Sequence, residues 1–462
     1  MPVGSPPVAP RIVVIGGGSY QWVPKLLVDL VNTPSLARAE VVLEDVDPGP
    51  LPGMEALGRR LAALAGTGMR FESTTDQRVA LAGADYVVVT ISTGGFASMR
   101  HDLEVPARHG IRQSVGDTVG PGGISRALRN IPVLLGIAAD MEELCPDAWL
   151  LNITNPMTTL CRALTRCTSI RTVGLCHEVT LTRLTLSQLL GVDFRAIDLT
   201  VSGVNHLPFV TAIDAGGADG FDLLRALLAD AARAGEEPVP PPAGGGPTAR
   251  GWPRLRKRDL LGANRVKLAL FERFGVLPAA GDRHLVEFFP GFLTEESGWG
   301  DRWGVRLTTI AEREDWLRFH RAEFDRLRAL DAVPAEPSGE IVAPLIDAFE
   351  RGRARTFPCN VPNEGQVPDV PPGAVVEAMC TTRGRALVGR DRPRLPATPA
   401  EWLRRVVASQ EATVDAALSG DRDRVVEAML LDPLAGRLDL DRLVQMTDDL
   451  LRATAPWLPQ FA

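Results

Sequence analysis

The run RIVVIGGGS, Arg11 to Ser19, decides how the first half of the chain folds. Five residues rich in β-branched side chains end in three glycines, Gly16, Gly17 and Gly18, and a helical pattern with Val23, Leu26, Leu27, Leu30 and Val31 on one face follows. That is strand, glycine turn, helix. Glycine lets a backbone approach a pyrophosphate closely, and the amides and dipole at the start of the next helix favour an anion. Ser19 closes the same turn. Gln21 stands where the third glycine of a dinucleotide fingerprint would be, so a glycine-rich tight turn of any α/β protein reads the same way from these residues alone.

A second run, VVLEDVD, supplies acidic residues further along the chain. Asp45 is the carboxylate expected to hold an adenosine ribose, with Asp47 capping the next turn. More apolar runs follow: YVVVTIS from Tyr86, WLLNIT from Trp149 and RTVGLC from Arg171, separated by helical stretches. Strands alternating with helices predict parallel βαβ units, whose ligands gather at the carboxyl ends of the strands. Gly16, Asp45, Ser92, Asn152, Asn155, Cys176 and His177 all fall there.

The pattern changes near residue 200. LTVSGVNHLPFVTAI reads as strand material interrupted by a turn, and several helices follow, one opening on the capping box Thr398-Pro399-Ala400-Glu401. The expected organisation is a flexible tail at 1–10, a dinucleotide-binding α/β Rossmann-type parallel sheet domain at 11–198, and a mixed α+β lid and assembly domain at 199–462. A mobile Pro/Gly-rich loop is expected at 235–253.

Composition excludes several classes. The 462 residues are 45% hydrophobic and 23% charged, ordinary globular values, and the net charge of −7 without a sustained basic run argues against nucleic acid. No apolar segment reaches the roughly 18 residues of a membrane span, and the start MPVGSPPVAPR lacks the basic and apolar regions of a secretory signal. A cytoplasmic protein is expected. Six cysteines without a CxxC pair argue against a disulfide scaffold or a zinc ribbon.

Cys176, in VGLCHEV, and His206, in GVNHLPF, read either as a buried thiol and a hydrogen-bonded structural imidazole or as two halves of a metal site. The neighbouring motifs bear on that choice. IGGGS, EDVD, DTVGPGGISRALRNIP (Asp117 to Pro132), LNITNPM (Leu151 to Met157), GLCH (Gly174 to His177) and GVNH (Gly203 to His206) resemble glycoside hydrolase family 4. That family contains NAD- and Mn²⁺-dependent glycosidases related in fold to lactate and malate dehydrogenases. The likeness runs along nearly the whole chain and is nearest the α-galactosidase, α-glucosidase and α-galacturonidase branch, where the cysteine turn reads Cys-His.

The resemblance implies that Cys176 and His206 hold Mn²⁺ or another divalent cation, and that Gly16, Gly17, Gly18, Ser19, Asp45 and Asn155 hold NAD. It implies that Asp117, Arg126 and Asn152 line the sugar pocket. For Arg126 a plain helix salt bridge is the alternative. The implied chemistry departs from the two-carboxylate glycosidases: oxidation at C3 of the sugar, loss of the C2 proton, elimination of the aglycone, addition of water and re-reduction. His177 is the implied leaving-group acid, or else a hydrogen-bonder that orients Cys176. A homo-dimer or homo-tetramer acting on a small-molecule sugar is implied too.

This sequence departs from the family at the base. The family's base is commonly a tyrosine, or in some α-enzymes an aspartate, in the second half, and the only tyrosines here are Tyr20 and Tyr86. Leu268 stands at the expected position beside Lys267, and the motif GDRHLVEFF places Asp282, Arg283 and His284 nearby. His284 and Asp282 rank above Lys267 as substitutes, because a lysine works as a base only with a strongly lowered pKa. Salt-bridged roles in a lid turn remain open for both. Two further readings remain: an NAD-dependent sugar or cyclitol oxidoreductase or epimerase-like enzyme without glycoside hydrolysis, and a catalytically dead dinucleotide-binding scaffold.

Overall fold

The computed structural model describes residues 9–234 and 255–461. Nearly all of the expected N-terminal tail and the whole segment 235–253 lie outside the described residues. Six short apolar runs form a parallel sheet: β1 (Arg11–Ile15), β2 (Glu40–Glu44), β3 (Arg70–Thr74), β4 (Tyr86–Val89), β5 (Trp149–Asn152) and β6 (Arg171–Gly174), in the order 3-2-1-4-5-6. Helices cover both faces, so β4 and β5 are buried along their whole length. This is the Rossmann-type α/β arrangement, and its order reverses between β1 and β4, where such sheets bind ligands.

The sheet does not stop at β6. Six further strands, β7 (Ile197–Val204), β8 (Leu207–Ala215), β9 (Leu277–Pro278), β10 (Thr356–Pro362), β11 (Val375–Arg383) and β12 (Ala386–Gly389), extend it, with β10 antiparallel on β6 and then β11, β7, β8 and β9 in turn. One row of paired residues crosses five strands: Asn152, Gly174, Asn360, Glu377 and Gly203. Gly174 makes the join possible. A Cβ there would lie 2.7 Å from the Met157 side chain and 2.9 Å from Asn360 Cβ, closer than packed carbons tolerate.

Two local features depart from what the sequence alone would suggest. The helix Val23–Val31 keeps its apolar and polar sides, but neither faces water: all nine of its residues are buried, Lys25 and Asp29 included. The second half covers its polar side: helix Val342–Glu350 packs on it, and the segment before that helix supplies partners. Ser338 N donates to Asp29 Oδ1 at 3.0 Å and its hydroxyl to Oδ2, while Lys25 Nζ lies 3.7 Å from Glu340 Oε1. The capping box is also absent: helix Ala397–Ser419 begins one residue before Thr398, behind Pro396, without a side-chain cap. Glu401 pairs with Arg404 instead.

Asp29→Ala would strand a buried Ser338 N–H. It is expected to cost about 1–3 kcal/mol, read as a lower urea midpoint with an unchanged m-value.

Candidate active site

The glycine turn is fastened to the end of β2. Gly16 N and Gly17 N donate to Glu44 O at 2.9 and 2.6 Å, and Gly18 N donates to Asp45 Oδ2 at 3.0 Å. Gly16 has φ +88°, and a Cβ on it would lie 2.0 Å from Thr90 O, so no other residue fits. Ser19 Oγ accepts from Trp22 N at 3.4 Å, and Asp47 Oδ1 accepts from Gly49 N. Glycine turn, acidic strand end and helix N-terminus therefore meet at the switch point, an arrangement that suits a dinucleotide.

Helix Gly120–Leu144 clamps the loops after β4 and β5. Arg129, 1% exposed, makes a two-pronged pair with Asp102 at 2.9 and 2.5 Å, and its Nε donates to Thr93 O at 3.0 Å. One turn earlier, Arg126 Nε donates to Asn155 O at 2.8 Å and Nη1 to Ser92 Oγ at 3.2 Å. Arg126 thus ties the two loops together and, among the described residues, forms no ion pair within its own helix. Asn155 Oδ1 is buried without a hydrogen-bond partner among the described residues. Asn152 is fully buried, and both ends of its amide are spent on the backbone of Thr154.

Asp117, His206 and His284 converge. One ligand atom from each lies within 4.8 Å of the others. His206 occupies the two-residue turn between β7 and β8 with φ +63°, a left-handed conformation that a non-glycine residue adopts at a cost. The turn is held there by Asn205 N, which donates to Thr158 Oγ1 at 3.0 Å. Thr118 Oγ1 lies 2.8 Å from His206 Nδ1, which leaves Nε2 for a ligand. The rings of His206 and His284 stand 3.6 Å apart, and His284 Nδ1 is buried without a partner among the described residues.

Glu287 brings Asp117 to that pair. From helix Asp282–Phe288, which also carries His284, its Oε1 accepts from Val115 N at 2.8 Å and Gly116 N at 2.9 Å. Burial alone would raise the Asp117 carboxyl, yet His284, Arg313, Arg126 and His206 together hold it at about 2. Burial, then the neighbouring His284, pulls His206 down to about 3, and burial lowers His284. An ionised carboxylate beside two neutral imidazoles is a donor set that fits a first-row divalent cation.

Cys176 is not one of that group of three. It lies buried beside the same turn, where burial, then Glu377 and Glu178, push its thiol well up and the Asn205 side chain opposes them. His177 Nδ1 lies 3.4 Å from Glu340 Oε1. The two oxygens of Asp282 accept from Val266 N at 2.7 Å and Lys267 N at 3.0 Å, holding the first turn of helix Arg265–Phe274. Lys267 Nζ donates to Thr182 Oγ1 at 3.1 Å. Tyr86 opens β4, and its hydroxyl donates to Glu350 at 2.6 Å; Tyr20 packs edge-on against Phe324.

Family comparisons decide the class. The profile of the family 4 glycosyl hydrolases matches residues 11–192, and that of the family 4 glycosyl hydrolase C-terminal domain matches residues 201–435. This chain belongs to glycosyl hydrolase family 4. It is similar to an α-galacturonidase of Thermoanaerobacterium saccharolyticum, 34% identical over 97% of this chain and 96% of that one. An α-galactosidase of Bacillus subtilis is 31% identical over 98% and 99%. In fold it resembles a 6-phospho-α-glucosidase from gut microorganisms solved with NAD and Mn²⁺, at 20% identity, TM-score 0.77, covering 98% of this chain and 99% of that one.

Within this family 4 chain, sequence reasoning missed Thr118, Glu178 and Glu287. Glu178 Oε2 accepts from Gly281 N at 2.7 Å and its Oε1 lies 4.0 Å from His284 Nε2. Thr118 and Glu178 stand next to residues already singled out, and adjacency was the available signal. Glu287 lies in the motif GDRHLVEFF, one helical turn after His284, but its grip on Val115 and Gly116 depends on where its helix lies. Among the described residues no helix is long and apolar enough to cross a membrane.

Thr118→Val removes the partner of His206 Nδ1 and is expected to weaken Mn²⁺ binding about 10–100-fold, measured by electron spin resonance, with NAD⁺ binding unchanged. A second expectation concerns pH. Burial raises the carboxyls of Glu287 and Glu377 from the ordinary 4.5 to about 8, so the folded state binds more protons than the unfolded chain between those values. Their stabilising effect is full below that range and is lost as pH rises through it. The urea midpoint of the chelator-treated protein should therefore fall between about pH 5 and about pH 8, less steeply in Glu287→Gln.

Proposed function

We propose that this family 4 chain cleaves an α-linked hexoside or hexuronide, with NAD and a divalent cation, by oxidation at C3, loss of the C2 proton, elimination, water addition and re-reduction. The observation that carries this reading is the convergence of Asp117, His206 and His284, with the His206 turn leaving the same end of the sheet as the glycine turn. The names of the relatives, α-galacturonidase and α-galactosidase, support the substrate class. The reading puts the dinucleotide on residues 11–198 and the sugar between them and residues 199–462.

NAD would be held by Gly16, Gly17, Gly18, Ser19, Asp45 and Asn155, and when bound it supplies a reversible hydride acceptor for C3. The cation would be held by His206 and Cys176, with Asp117 and His284 in reach, and when bound it supplies Lewis acidity at the C2 and C3 oxygens. Arg126 and Asp117 orient the sugar. His284 takes the C2 proton on its unpartnered ring nitrogen, and His177 gives a proton to the glycosidic oxygen as the aglycone leaves. Asp282 and Lys267 rank below His284 because their polar atoms are already bonded to Val266, Lys267 and Thr182. The missing second-half tyrosine supports the rival reading, a sugar oxidoreductase that does not hydrolyse.

The test is a panel of α- and β-linked nitrophenyl hexosides and hexuronides with NAD⁺ and Mn²⁺, using C2-deuterated substrate for any hit while following NADH. Aglycone release slowed by C2 deuterium, without NADH accumulation, is the expected result; NADH accumulation without aglycone release would overturn hydrolysis. His284→Gln is expected to lower kcat by about 10²–10⁴ while NAD⁺ still binds.

A further inference from the structure

The reaction as proposed leaves a buried polar group of the fold unused. Lys25, from the helix after the glycine turn, and Glu340, from the segment before helix Val342–Glu350, meet at the start of helix Glu178–Leu190. Glu340 Oε1 lies 3.7 Å from Lys25 Nζ and 3.4 Å from His177 Nδ1. Lys25 is 4% exposed, and the Glu340 and His177 side chains are 14% and 20% exposed. Lys25 Nζ also sits over the Trp22 ring at 4.6 Å, and that ring stands 6.1 Å from the His177 ring.

We infer that Glu340, held in place by Lys25, is a positioning residue for His177, and that it aims the Nε2 edge of the imidazole at the departing glycosidic oxygen. The inference rests on the proposed acid role of His177. Two physical arguments carry it. A carboxylate near one ring nitrogen fixes the tautomer and orientation of an imidazole, so that the opposite nitrogen faces the reacting atom. A carboxylate taken out of water is retained only with partners, and the partners here are a lysine rooted in the dinucleotide turn's own helix and the histidine itself. Trp22 flanks both, which restricts the rotamers of Lys25 and the tilt of the histidine ring.

The geometry also explains why the acid follows the glycine turn so closely in space while being far from it in sequence. The three side chains come from residues 25, 177 and 340, and each is carried by the start of a helix or the loop leading into one. A shift of the turn's helix would move Lys25, then Glu340, then the histidine.

The experiment compares kcat and KM of the holoenzyme on glycosides with poor leaving groups, such as methyl, and good ones, such as dinitrophenyl, for wild type, Glu340→Gln, Glu340→Asp and His177→Gln. A group that acts through a leaving-group acid matters only where the leaving group needs a proton. Glu340→Gln is expected to lower kcat about 10–100-fold on the methyl glycoside and less than about threefold on the dinitrophenyl glycoside, with KM unchanged. Glu340→Asp should recover part of that loss. NAD⁺ binding by calorimetry establishes that each variant is folded.

An equal loss on both glycosides, or no loss on either, would overturn the role of Glu340 while leaving a steep His177→Gln response, and with it the acid assignment, intact. A flat response of His177→Gln itself would sink the acid assignment and the positioning role together. Lys25→Met, which keeps the stem and removes the charge, should shift the same ratio in the same direction; an unchanged ratio there would remove Lys25 from the arrangement.

Discussion

The close approach of β10 to Gly174 is the contact on which the rest of the architecture depends. Only a residue without a side chain lets Asn360 and Met157 both reach that point. Once β10 is seated, the row Asn152, Gly174, Asn360, Glu377 and Gly203 runs unbroken from the parallel half of the sheet into the antiparallel half. Cys176 and His177 leave the row on one strand, and the turn carrying His206 leaves it on another. Residues far apart in the chain share one end of one sheet because a hydrogen atom stands where a methyl group would not fit.

The parallel half was legible in the sequence because its signals are local. Strand, glycine turn and helix at Arg11–Val31, and the acidic end of β2, follow from side-chain branching and backbone freedom, and neither depends on distant residues. The burial of the helix Val23–Val31 was not legible. Nothing local to the helix shows that Lys25 and Asp29 are covered; residues 338–340, more than 300 positions away, bury them in the folded chain.

The site divides along the same line. Asp117, His206 and His284 were each marked by their residue types and motifs, but their meeting within a few ångströms depends on Glu287 gripping the backbone before Asp117 and on the turn that holds His206. Asp282 was chosen as a candidate base for its carboxylate, and in the fold that carboxylate accepts two backbone N–H groups at a helix start. A sequence shows that a group can take a proton, not what its oxygens already hold.

The interlock at helix Val23–Val31 also bears on how such a chain can be divided or recombined. A fragment ending at residue 198 would keep every strand of the parallel sheet yet leave β6 with an unpaired edge and the Lys25 and Asp29 side of the helix in water. An open edge of that kind invites pairing with other chains. The parallel half is thus continuous in sequence but dependent on the remainder for its surface, and a graft of this half onto another second half must bring the segment around Ser338 and Glu340 with it.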